Sequence, residues 1–197
     1  MKIYDISQEV FACEVYPGDL SPEKEEVLRM KSGSLYNLTN LHMCTHNGTH
    51  IDAPFHFFED GKTIAELSLE KMIGPAYVHC HNGELTAKDA GYILNKAASF
   101  SNDAAKRILL KGTAVITEEA ATIFASVPID LIGVESQSAG PEEAPMAVHK
   151  ILLGKEIILL EGIRLKDVED GEYFLHAAPL SLDGSDGAPC RATLLGR

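Results

Sequence analysis

The chain has 197 residues, of which 45% are hydrophobic, and this length suits one domain with a sizeable core. A formal net charge of -12 and an isoelectric point near 5.0 disfavour nucleic acid as a partner, and no run of lysines or arginines supplies a local basic surface. No apolar run approaches membrane-spanning length, and the four cysteines form no CxxC pair that would indicate a zinc knuckle or a redox dithiol.

The first elements lead towards a dense histidine cluster. Residues 2–10 alternate loosely and predict a strand with no signal-peptide pattern before it, so we expect a cytoplasmic protein with reduced thiols. A turn follows at residues 15–19, and Tyr16 and Asp19 on it are candidates for substrate binding, although turn chemistry alone also explains them. The next two patterns predict a strand or short helix and then a strand, over residues 23–30 and 32–43.

Three imidazoles and a carboxylate fall within the eleven residues that follow: His46, His50, Asp52 and His56. Nitrogen and oxygen donors at this density suit zinc, manganese or iron better than calcium or magnesium. Gly48, Pro54 and the β-branched residues disfavour a helix, and in an extended segment the alternation of side chains puts the donors on one face. Burying four uncoordinated polar groups together would be costly, so the sequence predicts a metal site on an extended segment.

The remaining chain alternates helices and strands. Helices are predicted where Thr86 and Thr117 precede apolar residues at helical spacing, and the first of these has Asp89 in the capping-box position. His79 and His81 have no carboxylate beside them in the sequence, and we expect them to be solvent-facing or hydrogen-bonded rather than ligands. Strands are predicted over residues 76–81, 107–111, 131–134, 157–160, 174–182 and 190–195, and a short helix over 148–153.

Two of these strands end in polar residues that could belong to a site. Glu161 follows the apolar strand 157–160, where an unpaired buried carboxylate would be expensive. The loop 135–138, which contains Ser136, follows the strand 131–134. It is a candidate for the site, because polar groups at the carboxyl ends of strands commonly line sites in α/β sheets. An ordinary polar loop explains residues 135–138 equally well.

Residues 46–56 match the HxGTHxDxPxH signature of the metal-dependent cyclase family, which includes bacterial kynurenine formamidases and has isatin hydrolases as relatives. The motif is long and specific. The resemblance covers nearly the whole chain and continues in residues 16–19, 60–61, 74–76, 131–133, 136, 138, 160–162, 186–189 and 191.

This resemblance implies an α/β fold, a single-domain swivelling β/β/α architecture over residues 1–197 with a mixed sheet core and flanking helices. It also implies a homodimer or homotetramer, in which residues 1–31 could form an arm at the interface. One or two Zn²⁺ or Mn²⁺ ions are expected. The first would be held by His46, His50 and Asp52, and Asp52 would bridge to a second ion held by His56, His149 and Glu161.

The implied activity is hydrolysis of a small aryl formamide or cyclic amide by a metal-bound hydroxide. His56 or Glu161 would move the proton to the leaving amine, and His56 would be free to do so if only the first metal position were filled. Substrate-binding candidates are Tyr16, Asp19 and Ser136.

The chain departs from the family pattern near the substrate. Kynurenine formamidases usually have Trp where this chain has Tyr16, and an Asp-Ser-Pro-Ser-like run where it has Glu-Ser-Gln-Ser at residues 135–138. Two alternatives therefore stay open at this point. One is hydrolysis of a non-aromatic amide, lactam or ester, and the other is a non-catalytic protein that binds metal or a small molecule.

Overall fold

Thirteen β-strands and three α-helices make up the regular structure of residues 1–196, the part of the chain that the computed structural model describes. The strands are β1 (Lys2–Asp5), β2 (Glu23–Leu28), β3 (Leu38–His42), β4 (His50–Asp52), β5 (Ile73–Cys80), β6 (Gly83–Leu85), β7 (Arg107–Lys111), β8 (Ala114–Ile116), β9 (Leu131–Val134), β10 (Ile158–Glu161), β11 (Gly171–His176), β12 (Gly187–Pro189) and β13 (Thr193–Gly196). The helices are α1 (Ala87–Phe100), α2 (Glu118–Phe124) and α3 (Met146–Leu153). Across residues 1–196 no helix has the length and hydropathy needed to cross a bilayer.

Nine strands form one mixed sheet in the order β1-β13-β11-β5-β7-β9-β10-β4-β12. The four central strands, β5, β7, β9 and β10, run parallel to one another, whereas every other strand pair of this sheet is antiparallel. Two small sheets, β2–β3 and β6–β8, complete the strand pairing. The arrangement confirms the predicted mixed α/β fold with flanking helices.

The helices begin where the sequence predicted them. Thr86 caps α1 and Asp89 bonds back to the Thr86 backbone, which satisfies two otherwise unpaired N–H groups. Thr117 caps α2 by accepting a hydrogen bond from the Ala120 N–H. The apolar faces of both helices are buried against the sheet, with Ile93 and Phe124 fully inaccessible to solvent.

Alternation along the central strands divides the core between the two faces of the sheet. On β10, Leu159 packs with the helices, whereas Ile158 and Leu160 pack on the opposite face. The helix face therefore receives every second side chain of β10, and Glu161, two residues after Leu159, points to that same face. The alternation of side chains along β10 thus places Glu161, its last residue, on the helix face of the sheet.

Several predicted elements have different bounds in the structure. The first strand ends at Asp5, before a 3-10 turn at Val10–Ala12, and the strand predicted over 174–182 is β11, displaced towards the N-terminus by its pairing with β5. Within the histidine cluster only His50–Asp52 is a strand, and His46 lies in a turn before it. After Asp52, Pro54 begins a 3-10 turn, Pro54–His56, because the fixed φ of proline suits a first helical position. His56 therefore reaches the site from a turn.

The strands β2 and β3 form a ribbon that pairs with no other strand of residues 1–196. Its tip exposes large apolar side chains, with Leu35 exposed by 92% and Tyr36 by 57%. Within the predicted N-terminal arm of residues 1–31, residues 2–5 pair with the main sheet as β1, and residues 23–28 form β2 of the ribbon. The interface role of residues 1–31 stays a prediction.

Candidate metal centre

Strand pairing at one edge of the main sheet brings the polar residues together. The antiparallel register of β10 and β4 places Glu161 opposite His50, and paired residues in a ladder share a face. Asp52 lies two residues along β4 and therefore points the same way. The helix α3 packs on this face, where Val148 and Leu152 share a cluster with Leu159, and it carries His149 into the group.

Asp52 lies between two groups of donors. Its Oδ1 is 2.8 Å from His46 Nδ1 and 3.3 Å from His50 Nε2, while its Oδ2 is 3.7 Å from His149 Nε2. The ligand atoms of His46, His50 and Asp52 all lie within 4.8 Å of one another, as do those of Asp52, His149 and Glu161. Glu161 contributes Oε1 at 3.2 Å from His149 Nε2 and Oε2 at 3.5 Å from His50 Nε2.

The outer ring nitrogens of two of these histidines are held by backbone carbonyls. His50 Nδ1 lies 3.0 Å from the Gly48 carbonyl oxygen, and His149 Nδ1 lies 2.8 Å from that of Pro145. Both rings consequently turn Nε2 towards the carboxylates. Fixing one imidazole nitrogen in this way is how proteins orient the other towards a metal.

The resemblance implied that His56 binds a second ion together with Asp52, His149 and Glu161. In the structure, the donor atoms of Asp52, His149 and Glu161 lie within 4.8 Å of one another, and His56 is not part of that group. It lies instead with His46 and Asp186, whose Oδ2 is 3.3 Å from His56 Nδ1. The structure thus adds Asp186, to which the sequence assigned no role. Asp186 belongs to the Asp-Gly-Ala-Pro segment that resembles the family, but it lies 140 positions from His46 and no local pattern connects them.

The charges of this cluster depend on one another. Burial disfavours protonation of the imidazoles, but hydrogen bonds to carboxylates outweigh it and raise the pKa of His46 to about 11, and those of His50 and His149 to about 9. Burial would raise the pKa of Asp52, yet the bonds from His46 and His50 hold it well below its usual value. The bond to His46 is likewise the main cause of the lowered pKa of Asp186.

These donors fit a divalent transition metal. Imidazole nitrogen and carboxylate oxygen are the ligands that zinc and manganese prefer, and buried carboxylates supply the negative charge that a cation requires. Asp52, His50 and Glu161 are at most 2% exposed, so the positive charge that balances the carboxylates must be either protons or an ion. Each of the two groups that share Asp52 provides three donors.

A cleft of about 380 Å³ opens over the site. The six predicted metal ligands line it, together with Tyr16, Asp19, Phe57, Gln137, Ser138, Glu143, Ala144, Pro145 and Met146. No lysine or arginine of residues 1–196 is among the lining side chains. Tyr16 donates a hydrogen bond to the Glu142 carbonyl oxygen at 3.2 Å, which joins the turn at residues 15–19 to the loop that precedes α3.

The loop after β9 contributes different residues from the one that was expected. Ser136 lies outside the cleft lining and donates to the Ser138 carbonyl oxygen at 2.5 Å. Gln137 and Ser138 line the cleft instead, and the side-chain polar atoms Nε2 and Oε1 of Gln137 and Oγ of Ser138 are buried without a hydrogen-bond partner within residues 1–196. Buried polar groups are usually paired, so these three atoms are exceptions to the usual pattern.

Comparison with known proteins places the chain among metal-dependent hydrolases. Residues 4–141 match the family model described as "Putative cyclase". The chain is 34% identical over 205 residues to the kynurenine formamidase of Erythrobacter litoralis, covering 98% of this chain and 93% of that protein. It is 35% identical over 195 residues to the kynurenine formamidase of Bacillus cereus, covering 91% and 90% respectively.

Solved structures share the fold over nearly the full length. One described as a predicted metal-dependent hydrolase from Bacillus stearothermophilus superposes with a TM-score of 0.81 at 28% identity, covering 98% of this chain and 97% of that one. Isatin hydrolase A from Labrenzia aggregata superposes with a TM-score of 0.84 at 21% identity, covering 100% and 94%. At this lower identity, the second likeness shows the shared fold.

Proposed function

This chain belongs to the cyclase family, and from this membership and the geometry of the cleft we propose that it is a metal-dependent hydrolase that cleaves the C–N bond of a small aryl formamide or cyclic amide. The observation that carries the proposal is the position of the Asp52 carboxylate, between two groups of imidazole and carboxylate donors at the base of an apolar cleft. Relatives that match more than nine-tenths of this chain are kynurenine formamidases, which supports the substrate class.

We assign two metal positions that share Asp52. His46 and His50 would complete the first, and His149 and Glu161 the second, with Zn²⁺ or Mn²⁺ as the ion because the donors are nitrogen and carboxylate oxygen. When bound, such an ion lowers the pKa of water, towards about 7 in favourable zinc sites, and polarises a carbonyl oxygen. The protein would contribute the position of the donors and the exclusion of bulk water.

His56 is the residue best placed to carry a proton. Its side chain lines the cleft and is 29% exposed, whereas that of Glu161 is buried and accepts a hydrogen bond from the Ala139 N–H. We therefore assign proton transfer to His56 and metal binding to Glu161. In the balanced reaction, the hydroxyl of water adds to the formyl carbon, the C–N bond breaks, and the remaining proton of water ends on the leaving nitrogen. The products are the free amine and formic acid, which ionises to formate and a proton.

The lining of the cleft supports an uncharged or cationic aromatic substrate. Phe57, Pro145 and Met146 offer apolar surface for one aryl ring, and Tyr16 adds an aromatic face at the mouth. Gln137 and Ser138 line the cleft, and we assign substrate binding to them in place of the predicted Ser136. The absence of lysine and arginine from the lining within residues 1–196 disfavours recognition by an ion pair with a substrate carboxylate.

The proposal also covers the cellular location and the oligomeric state of the enzyme. We assign it to the cytoplasm, where the four unpaired cysteines would stay reduced. We also expect a homodimer or homotetramer, because the β2–β3 ribbon exposes Leu35, Tyr36 and Leu41, and apolar surface of this kind is commonly covered by a partner subunit.

Metal analysis combined with a substrate panel tests this function. Protein purified without chelators should contain stoichiometric transition metal and should hydrolyse N-formylkynurenine, formanilide or isatin faster than the same protein after removal of its metal. Reloading with Zn²⁺ or Mn²⁺ should restore the rate and distinguish the two ions. Purified protein without stoichiometric metal, or metal-loaded protein that hydrolyses none of the three compounds, would overturn the proposal.

A further inference from the structure

One carboxylate oxygen contacts two histidines that belong to different parts of the site. Asp186 Oδ2 lies 2.9 Å from His46 Nε2 and 3.3 Å from His56 Nδ1. The two imidazole rings lie beside each other, with centroids 4.2 Å apart. Asp186 itself does not line the cleft, so its contacts are with the histidines and not with the space for substrate.

His46 differs from the other two metal-binding histidines in how its outer nitrogen is held. His50 and His149 each use a neutral backbone carbonyl, of Gly48 and Pro145 respectively. His46 uses the carboxylate of Asp186, which is a stronger and charged acceptor. Because His46 Nδ1 faces Asp52 at 2.8 Å, this bond holds the ring with Nδ1 towards the metal donors.

The same oxygen determines which nitrogen of His56 is available. With Nδ1–H donating to Asp186, the neutral ring presents Nε2 as its free acceptor. An imidazole held by a carboxylate at one nitrogen and free at the other is the arrangement that proton-transferring histidines use in hydrolases. The orientation of His56 therefore depends on a residue that the substrate does not touch.

Asp186 is itself fixed by the fold. Its Oδ1 accepts a hydrogen bond from Thr45 Oγ1 at 3.1 Å, and its backbone carbonyl accepts one from the Ala53 N–H at 2.9 Å. Gly187, which follows it and pairs with Asp52 across β12 and β4, has no room for a side chain, since a Cβ there would lie 3.0 Å from His46 Cε1. The carboxylate is thus held next to the His46 ring by the edge of the sheet.

We propose that Asp186 is a positioning residue that orients the metal ligand His46 and the proton carrier His56 through one shared carboxylate oxygen. This proposal rests on the proposed function for the roles of the two histidines. Asp186 couples them, because displacement of its carboxylate releases both rings at once. It acts through these residues and contacts neither substrate nor the reacting atoms.

Substitution of Asp186 tests the proposal in the zinc-loaded enzyme. Asp186→Ala should lower kcat by about 10- to 100-fold and weaken zinc binding, measured by chelator competition, by a similar factor. KM should change by less than about twofold, since Asp186 lies outside the cleft lining. Asp186→Asn keeps the shape of the side chain and should give a smaller loss in both quantities, and it keeps the test informative if the alanine variant fails to fold.

Histidine ring NMR supplies a measurement that does not depend on turnover. In long-range ¹H–¹⁵N spectra of the zinc-loaded protein, His56 should be the Nδ1–H tautomer, and Asp186→Ala should convert it partly to the Nε2–H form. Asp183→Asn, an exposed aspartate three residues away in the same loop, is the matched control and should change neither the spectrum nor kcat. If no aryl amide is hydrolysed, the proposed function fails while the spectra and the zinc affinity still test Asp186.

Two results would overturn the positioning role. An unchanged His56 tautomer together with a kcat within about threefold of the parent enzyme would show that Asp186 orients neither ring. Loss of one stoichiometric zinc ion at saturating zinc would make Asp186 a ligand instead, in a site formed with His46 and His56.

Discussion

Replacing Asp52 by asparagine should remove both metal ions, whereas replacing His149 by glutamine should remove chiefly one. Asp52 is the donor that the two groups share, with its Oδ1 near His46 and His50 and its Oδ2 near His149. His149 belongs to only one group. Zinc-loaded, desalted protein should contain about two ions per chain in the parent, about one in His149→Gln and close to none in Asp52→Asn.

The same substitution should destabilise the metal-free protein. Asp52 is 1% exposed, and asparagine of equal size removes the charge that faces His46 and His50. Removing one charge of a buried ion pair lowers the free energy of unfolding by about 3–5 kcal/mol. Because asparagine can still accept a hydrogen bond, we expect a loss at the lower end, about 3 kcal/mol. For a chain of this length, that corresponds to a fall in Tm of about 6–12 °C.

Elemental analysis and thermal unfolding, each with and without zinc, measure both effects. His79→Gln is the matched control, since His79 is also a partly buried histidine beside a carboxylate, 3.3 Å from Asp170, but lies outside the cleft. It should keep the full metal content. Equal metal loss in Asp52→Asn and His149→Gln would refute the shared position of Asp52, as would metal loss in His79→Gln.

Four further outcomes follow from the site. Because the pKa of His50 is raised to about 9 from an unfolded value near 6.5, its stabilising contribution is complete below pH 6.5 and is lost as the pH rises through 9. The Tm of metal-free protein should therefore fall over that window, and the Tm of zinc-loaded protein should not, which thermal scans at several pH values would check. Glu161→Gln should lower both the zinc content and the rate, and normal zinc content with a lowered rate would assign Glu161 to proton transfer instead. Tyr16→Phe removes the bond to Glu142 and should raise KM by up to about fivefold with kcat unchanged, whereas a lowered kcat in steady-state kinetics would contradict a role limited to binding. Gln137→Met should raise the Tm by about 2–4 °C by removing a buried unpartnered amide, and should raise KM; a lowered Tm would show that the amide is paired in the folded protein.

Much of the fold was readable because its signals are local. The caps at Thr86 and Thr117 predicted the first residues of α1 and α2 from adjacent sequence, and both are confirmed. Apolar runs likewise predicted the central strands β7 and β9 with their observed bounds. The strand predicted over residues 174–182 was wrong in its bounds, because those of β11 follow from its partner β5, which no local pattern specifies.

Within the site, the sequence alone identified the donors that are close in the chain. The spacing of His46, His50 and Asp52 predicted a metal-binding face on an extended segment. The three donors do lie together, although only His50–Asp52 is a strand and His46 lies in the turn before it. Glu161 was also identified, since a carboxylate at the end of an apolar strand needs a partner. His149 gained its role only from the family resemblance.

Only the tertiary structure decided which further residues lie beside these donors and what holds their side chains in place. The register of β10 against β4 sets Glu161 opposite His50, and the packing of α3 adds His149. The pairing of β12 with β4 brings Asp186 to His46 and His56 across more than a hundred residues. Hydrogen-bond register and helix packing are properties of the assembled chain, so local sequence carries no signal for which of these residues will meet.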